Sequence, residues 1–332
     1  MSSDPLPPWC LSKGTLFNVP PAGFSSNGGS IDVGVCSIAF DSTASTHIGA
    51  RHGPNAIRAA SARYSAQMNS RGRMELLNLR TGVCLSPISR NIVDFGDLHV
   101  YPTDPARQID CSIEETAIVA AAAQQMVMLG GEHTVSYPSF AGVNKALFAR
   151  GQPNLGYVQI DHHFDFGDLS SLHGRYYHGS NARRIAELPF MSPKNMGFVG
   201  QGDMTSLQQF RSLIDGGYTV STIRDVKSRS YETCLRETLD KVCSASPGGV
   251  YISVDIDVCD CSTAPGTGNV TIGGISASEF ISTADVIRHY PVKALDIVEV
   301  NPSLDRSGRT AELAARFLYE YLMLAPASCE TI

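Results

Sequence analysis

Apolar and polar positions in this chain alternate between short β-branched runs and longer stretches with helical spacing. From residue 31 onward the runs Ile31–Ile38, Asn91–Asp94, Leu155–Ile160, Lys194–Val199, Thr219–Ile223, Gly249–Ile256 and Val292–Val300 read as strands. Helices are read over Gly53–Ser65, Asn181–Ala186, Met204–Asp215, Tyr231–Ser244, Ala277–His289 and Thr310–Leu324, with Pro54 suited to a first helical turn. The segment Ile113–Leu129 contains a further helix. Its Ala-rich run Ala117–Leu129 is too short to span a membrane and reads as packed helix. Strands alternating with helices predict a single-domain, three-layer α/β/α fold with a mainly parallel central sheet. In such folds ligands bind beyond the carboxyl ends of the strands. Residues 1–30, rich in Pro, Gly and Ser, read as an extended arm ordered by packing on a neighbour, ahead of one domain over 31–332.

Composition changes this picture mainly by exclusion. The 332 residues are 43% hydrophobic and 17% charged, with a formal net charge of -6. Lys and Arg are scattered, so neither nucleic acid nor a membrane surface is expected as a partner. The opening MSSDPLPPWC has neither the basic nor the apolar region of a signal peptide, and a cytoplasmic location is the expectation. Nine cysteines, with no CxxC pair, read as reduced and mostly buried thiols.

The chemistry sits where strands end. Leu155–Ile160 runs into Asp161-His162-His163-Phe164-Asp165. On an extended chain Asp161, His163 and Asp165 share a face, successive ones about 6.5–7 Å apart, while His162 and Phe164 point the other way. Asp255 and Asp257 repeat the pattern after a second buried-looking strand. Two aspartates pressed together repel each other unless a cation neutralises them. Gly130-Gly131-Glu132-His133 follows the apolar run ending at Leu129, and His133 could complete the ligand set. Four aspartates and two histidines suit two divalent ions of intermediate hardness such as Mn²⁺, which can share and activate one water.

At this point the chain resembles the ureohydrolase family of arginases, agmatinases and guanidinobutyrases, over about residues 31 to 325. The motifs occur in family order. Gly49-Ala50-Arg51-His52-Gly53-Pro54-Asn55-Ala56-Ile57-Arg58 is followed by Asp94-Phe95-Gly96-Asp97, Gly130 to His133, Asp161 to Asp165 and His178-Gly179. Ser253 to Gly268 (SVDIDVCDCSTAPGTG) and Ile297 to Pro302 complete the series. The resemblance implies that His133, Asp161, Asp165 and Asp255 hold one metal. It implies that His163, Asp161, Asp255 and Asp257 hold the other, with Asp161 and Asp255 bridging. Asp165, His178 and Glu299 form the implied catalytic set: Glu299 pairs with a cationic guanidinium and His178 shuttles protons at the mouth. The implied reaction is hydrolysis of a guanidino C–N bond by a metal-bridging hydroxide, giving an amine and urea. Trimers or hexamers of the chain are implied as well.

The chain departs from the family pattern in four places. His162 stands where a small residue is usual, Cys261 where Pro is usual, and Gly167 where arginases carry the Asn that holds an amino-acid head group. Met196 to Asp203 lacks the usual Gly-Ile-Arg. Gly167 argues against L-arginine and for an agmatinase-like subgroup acting on a small guanidino substrate such as agmatine or a guanidino acid. Guanidine or biguanide hydrolysis with Ni²⁺, release of formamide from a formimino amino acid, and a non-catalytic assembly subunit are the alternative readings. His173 rivals His178 for the shuttle role. Glu132, His162, Cys259 and Cys261 read as supporting or packing residues, and Trp9, Tyr176 and Tyr177 as interface residues.

Overall fold

The computed structural model describes residues 14–22, 30–71 and 75–326, with the side chains of 66–71 left aside. Trp9 lies outside the described residues. The elements in chain order are β1 (Ile31–Ile38), α1 (Gly53–Arg71), β2 (Leu76–Asn78), β3 (Val83–Pro87), β4 (Ile92–Asp97), α2 (Pro105–Ala122), β5 (Ala123–Gly130), α3 (Ser136–Ala149), β6 (Gly156–Ile160) and α4 (Asn181–Ala186). They continue with β7 (Met196–Val199), α5 (Leu207–Gly216), β8 (Thr219–Ser221), α6 (Ile223–Arg229), α7 (Tyr231–Ser244), β9 (Val250–Asp255), α8 (Ala277–Ile287), β10 (Val292–Val298), α9 (Arg309–Met323) and β11 (Leu324–Pro326).

Eight strands form one sheet in the order β4-β1-β5-β10-β9-β6-β7-β8, and every pairing in it is parallel. The fold is therefore the α/β/α arrangement that the alternation of elements implied. Successive residues of β5 show how the layers are made: Val127 and Leu129 enter one apolar core, Met126 and Met128 the other. The first core joins the sheet to α1, α7, α8 and α9, the second to α2, α3 and α4.

The run Ala117–Leu129 is not one helix. Helix α2 ends at Ala122, and β5 begins at Ala123 and pairs with both β1 and β10. From Met126 to Leu129 this central parallel strand is buried on both faces, so that stretch is continuously apolar and carries no alternation to separate it from a buried helix. Helix α3 and the small antiparallel sheet β11-β3-β2 were also not legible as elements. Residues 14–22, assigned to the arm, pack on the domain itself: Leu16 and Phe17 are buried, and the Leu16 N–H donates to Asp94 at 2.8 Å.

Two of the sequence motifs are structural partners. Arg58, buried in α1, donates to Asp94 at 2.9 Å and to Asp97 at 2.7 Å on β4. Gly49 has φ 133°, and a Cβ there would lie 2.3 Å from Asn301 Oδ1, so the turn leading into α1 admits only glycine.

Candidate metal centre

Strands β5, β10, β9 and β6 are neighbours at the middle of the sheet, and the residues that follow their carboxyl ends converge. After β5 the backbone passes through Gly131, where a Cβ would lie 1.9 Å from Phe40 O, and reaches His133 in a single 3-10 turn. Strand β6 stops at Ile160, so Asp161, His163 and Asp165 do not share a face by strand alternation. They lie in a turn that ends with Asp165 at φ 47°, and this folds them closer than an extended chain would allow. Asp255 ends β9, and the 3-10 turn that follows carries Asp257, whose N–H donates to Asp255 Oδ1 at 2.8 Å. Glu299 follows β10 with φ 62°. Positive φ in a residue with a side chain is strained, and here it occurs at two residues of the cluster.

Donor atoms of His133, Asp161, Asp165 and Asp255 lie within 4.8 Å of one another, as do those of Asp161, His163 and Asp257. Asp161 belongs to both groups. Asp255, expected to be shared too, falls in the first group only.

The donors suit a cation. His133 is fully buried, and its Nδ1 faces carboxylate oxygens of Asp165 at 2.8 Å, Asp255 at 3.0 Å and Asp161 at 3.1 Å without a hydrogen bond to any of them. His163 Nδ1 lies 3.1 Å from Asp257 and 3.5 Å from Asp161. Burial raises the carboxyls of Asp255 and Asp257, the latter to about 6, and their neighbouring carboxylates add to the rise. Without a cation this cluster is a set of buried like charges relieved only by protons.

A layer of buried groups holds the donors. His133 Nε2 lies 3.0 Å from Ser253 Oγ, which donates to Asp296 at 2.8 Å, so Nδ1 carries the lone pair when the ring is neutral. Gln159 donates to Asp161 at 2.7 Å, and Asn181 to Asp165 at 3.0 Å. Sequence reasoning missed Gln159, Asn181 and Asp296 as partners. For two of them a signal was present, because Gln159 and Asp296 are polar residues inside mostly apolar strands.

The model of the arginase family matches residues 31–324. The chain belongs to the arginase family. It is 30% identical to the mitochondrial guanidino acid hydrolase of Homo sapiens over 89% of this chain and 79% of that protein. It is also 30% identical to the agmatinase of Halalkalibacterium halodurans, over 86% of this chain and 89% of that protein. Among solved structures it resembles the proclavaminate amidino hydrolase of Streptomyces clavuligerus, with TM-score 0.73 and 26% identity over 93% of this chain and 96% of that one.

The structure accounts for the departures from the arginase-family pattern. A Cβ on Gly202 would lie 2.3 Å from the His162 ring, so the histidine at 162 and the glycine at 202 form one exchange of volume. Burial and the neighbouring His163 both lower the His162 pKa and keep that ring neutral. The Cys261 N–H donates to Thr271 O at 2.8 Å, a bond that proline could not make. A Cβ on Gly167 would lie 1.9 Å from Tyr177 Oη, so the Tyr177 phenol fills the place of a side chain at 167.

His178 Nδ1 lies 3.2 Å from Glu299 Oε1, which also accepts the His133 N–H at 3.0 Å. His173 lies instead in the Ser170–Gly174 turn. Burial disfavours the charged His178 ring, but the bond to Glu299 and the nearby Asp165 and Glu132 carboxylates outweigh it and hold the ring up at about 9. The Ser45 N–H points at Nε2 from 3.1 Å, which fits a neutral ring with its proton on Nδ1. The two influences oppose each other: the carboxylates favour the charged ring, and the Ser45 N–H favours the neutral one. Glu132 is not in the cluster. It accepts from Thr43 N at 3.0 Å and anchors the loop that carries Ser45.

Proposed function

We propose that this chain is a metal-dependent amidinohydrolase that cleaves the guanidino C–N bond of a small guanidino compound other than L-arginine, giving an amine and urea. The observation that carries the reading is His133 Nδ1 facing three carboxylate oxygens beside a second donor group that shares Asp161. Relatives named agmatinase, guanidinobutyrase and guanidinopropionase support the substrate class. His133, Asp161, Asp165 and Asp255 would hold one ion and Asp161, His163 and Asp257 the other, with Asp161 common to both. Oxygen-rich donors with two imidazoles favour Mn²⁺, with Ni²⁺ as the alternative. Two such ions, when bound, lower the pKa of a shared water and supply a nucleophile at neutral pH.

The chain's own groups do the rest. Glu299, 5% exposed, is placed to pair with a guanidinium, and the His133 N–H and His178 fix its carboxylate. His178 Nδ1 faces the same point and can give a proton to the departing nitrogen. Replacing Glu299 by Gln keeps the shape and removes the charge. It is expected to lower kcat/KM for cationic substrates about a hundredfold, the worth of one charge-assisted contact, while metal content stays at the wild-type level. An unchanged kcat/KM would remove Glu299 from the guanidinium site.

A cavity of about 210 Å³ beside the centre is lined by His163, Asp165, Gly167, Tyr177, Asp203 and Gln209 among others, with Asp203 as its acidic group apart from the metal donor Asp165 and neither Lys nor Arg in its wall. A carboxylate tail finds no counter-ion there, whereas an ammonium tail does. In urea-release assays with Mn²⁺- and Ni²⁺-loaded protein, agmatine is expected to exceed 4-guanidinobutyrate, 3-guanidinopropionate and arginine. Preference for a guanidino acid would overturn the tail assignment. Formamide from a formimino substrate, with urea from none, would overturn the reaction.

A further inference from the structure

Ser45 stands at the apex of a loop fixed at both ends. At one end Asp41 accepts the Gly49 N–H at 2.6 Å and Glu132 accepts the Thr43 N–H at 3.0 Å. At the other, Thr46 donates to Gly268 O at 3.3 Å and the His47 ring lies 3.2 Å from the same carbonyl. Ser45 is exposed, whereas His178 beneath it is buried. Its Oγ lies 2.6 Å from His178 Nε2, and its own N–H is directed at that nitrogen. The two ring nitrogens thus face different surroundings: Nδ1 faces Glu299 inside the site, and Nε2 faces a hydroxyl at the rim.

We infer that Ser45 is a positioning residue that connects His178 to solvent, an inference that rests on the amidinohydrolase reading above. The Ser45 N–H holds the neutral ring with its proton on Nδ1, ready for the departing nitrogen. As the Nδ1–H bond breaks and the new N–H bond forms on the amine, Nε2 takes the Ser45 hydroxyl proton, and solvent refills Oγ. When the attacking water gives up a proton to Nδ1, the same path runs outward from Nε2. The balance closes, because a guanidinium and one water yield an ammonium and neutral urea with no net proton taken up. The leaving nitrogen gains two protons as it becomes the ammonium, as many as the water loses when its oxygen becomes the urea carbonyl.

The test is Ser45→Ala, which removes the hydroxyl and keeps the N–H. In dilute buffer kcat is expected to fall about tenfold, at the lower edge of what a general acid–base path contributes, with KM and metal content unchanged. Imidazole or another small buffer at high concentration should restore it, because it can carry protons to Nε2 directly. Ser45→Thr, which keeps a hydroxyl, should behave as wild type at every buffer concentration. A Ser45→Ala kcat equal to wild type in dilute buffer would overturn the inference, as would a loss that no buffer restores. Absence of urea from the wild-type protein with every guanidino substrate would instead remove the reading on which the inference rests.

Discussion

Asp161→Asn is expected to abolish urea release and to prevent both ions from binding stably. Asp161 is the carboxylate that both donor groups share. Its Oδ2 accepts from Gln159 at 2.7 Å and its Oδ1 from the His163 N–H at 2.6 Å. An amide of the same shape must turn an NH₂ toward a donor on one side or the other, and it brings no negative charge to either group. Loss of the activated water and of the charge that neutralises the reacting centre should remove at least about 4 kcal/mol of transition-state stabilisation, about a thousandfold in rate. The fold should survive, because the substitution opens no void and relieves like-charge repulsion among buried carboxylates. Metal analysis, urea release and thermal unfolding on one preparation check all three statements. Near-wild-type turnover with two ions retained would sink the assignment of the centre.

Removing the metals is expected to invert the pH dependence of stability. In the metal-free protein Asp257 is raised to about 6 and Asp255 is raised well above the usual carboxylate range, in both cases by burial and then by neighbouring carboxylates. A carboxyl with a raised folded pKa binds its proton more tightly in the native state. Its contribution is present at low pH and is lost as pH rises through the ordinary carboxylate pKa to the folded value. His133 and His163 are raised as well. Burial opposes the charged rings, but the adjacent aspartates outweigh it. Their contribution is present below the ordinary histidine pKa and falls away above it. All four groups act in one direction, so the chelated protein should lose stability from about pH 5 to pH 8. For Asp257 alone the whole change is roughly 3 kcal/mol, from about two pKa units, and about half of it falls above pH 5. Metal binding needs the same groups deprotonated, so the loaded protein should gain stability over that interval. Unfolding midpoints at pH 5 and 8, with and without chelator, decide the matter. Parallel slopes in the two forms would mean that these carboxylates do not hold the ions.

Much of the architecture was legible because it follows from period and punctuation. Strand and helix spacing alternate from residue 31 onward, and a chain with that alternation closes a parallel sheet between two helical layers. The failures have separate causes. From Met126 to Leu129 strand β5 is buried on both faces and therefore lacks the alternation that marks a half-exposed strand. The helix from Ser136 begins directly after a turn that is itself part of the centre.

Residue types and spacing alone nominated His133, Asp161, His163, Asp165, Asp255 and Asp257, because closely spaced carboxylates and imidazoles at the ends of apolar strands are costly unless they bind something. The distances that make a centre were decided by tertiary structure. Asp161 to Asp165 come together through a turn with positive φ rather than along a strand, and the two halves meet because β6 and β9 are neighbours in the sheet although about ninety residues separate them in sequence. Volume exchanges such as His162 with Gly202 and Tyr177 with Gly167 exist only between surfaces that folding brings into contact. The same holds for Ser45 on His178, a pair 133 residues apart in sequence. A sequence states which chemical groups are available at each position. Which of them lie within hydrogen-bond reach depends on long-range packing, and no local pattern along the chain encodes it.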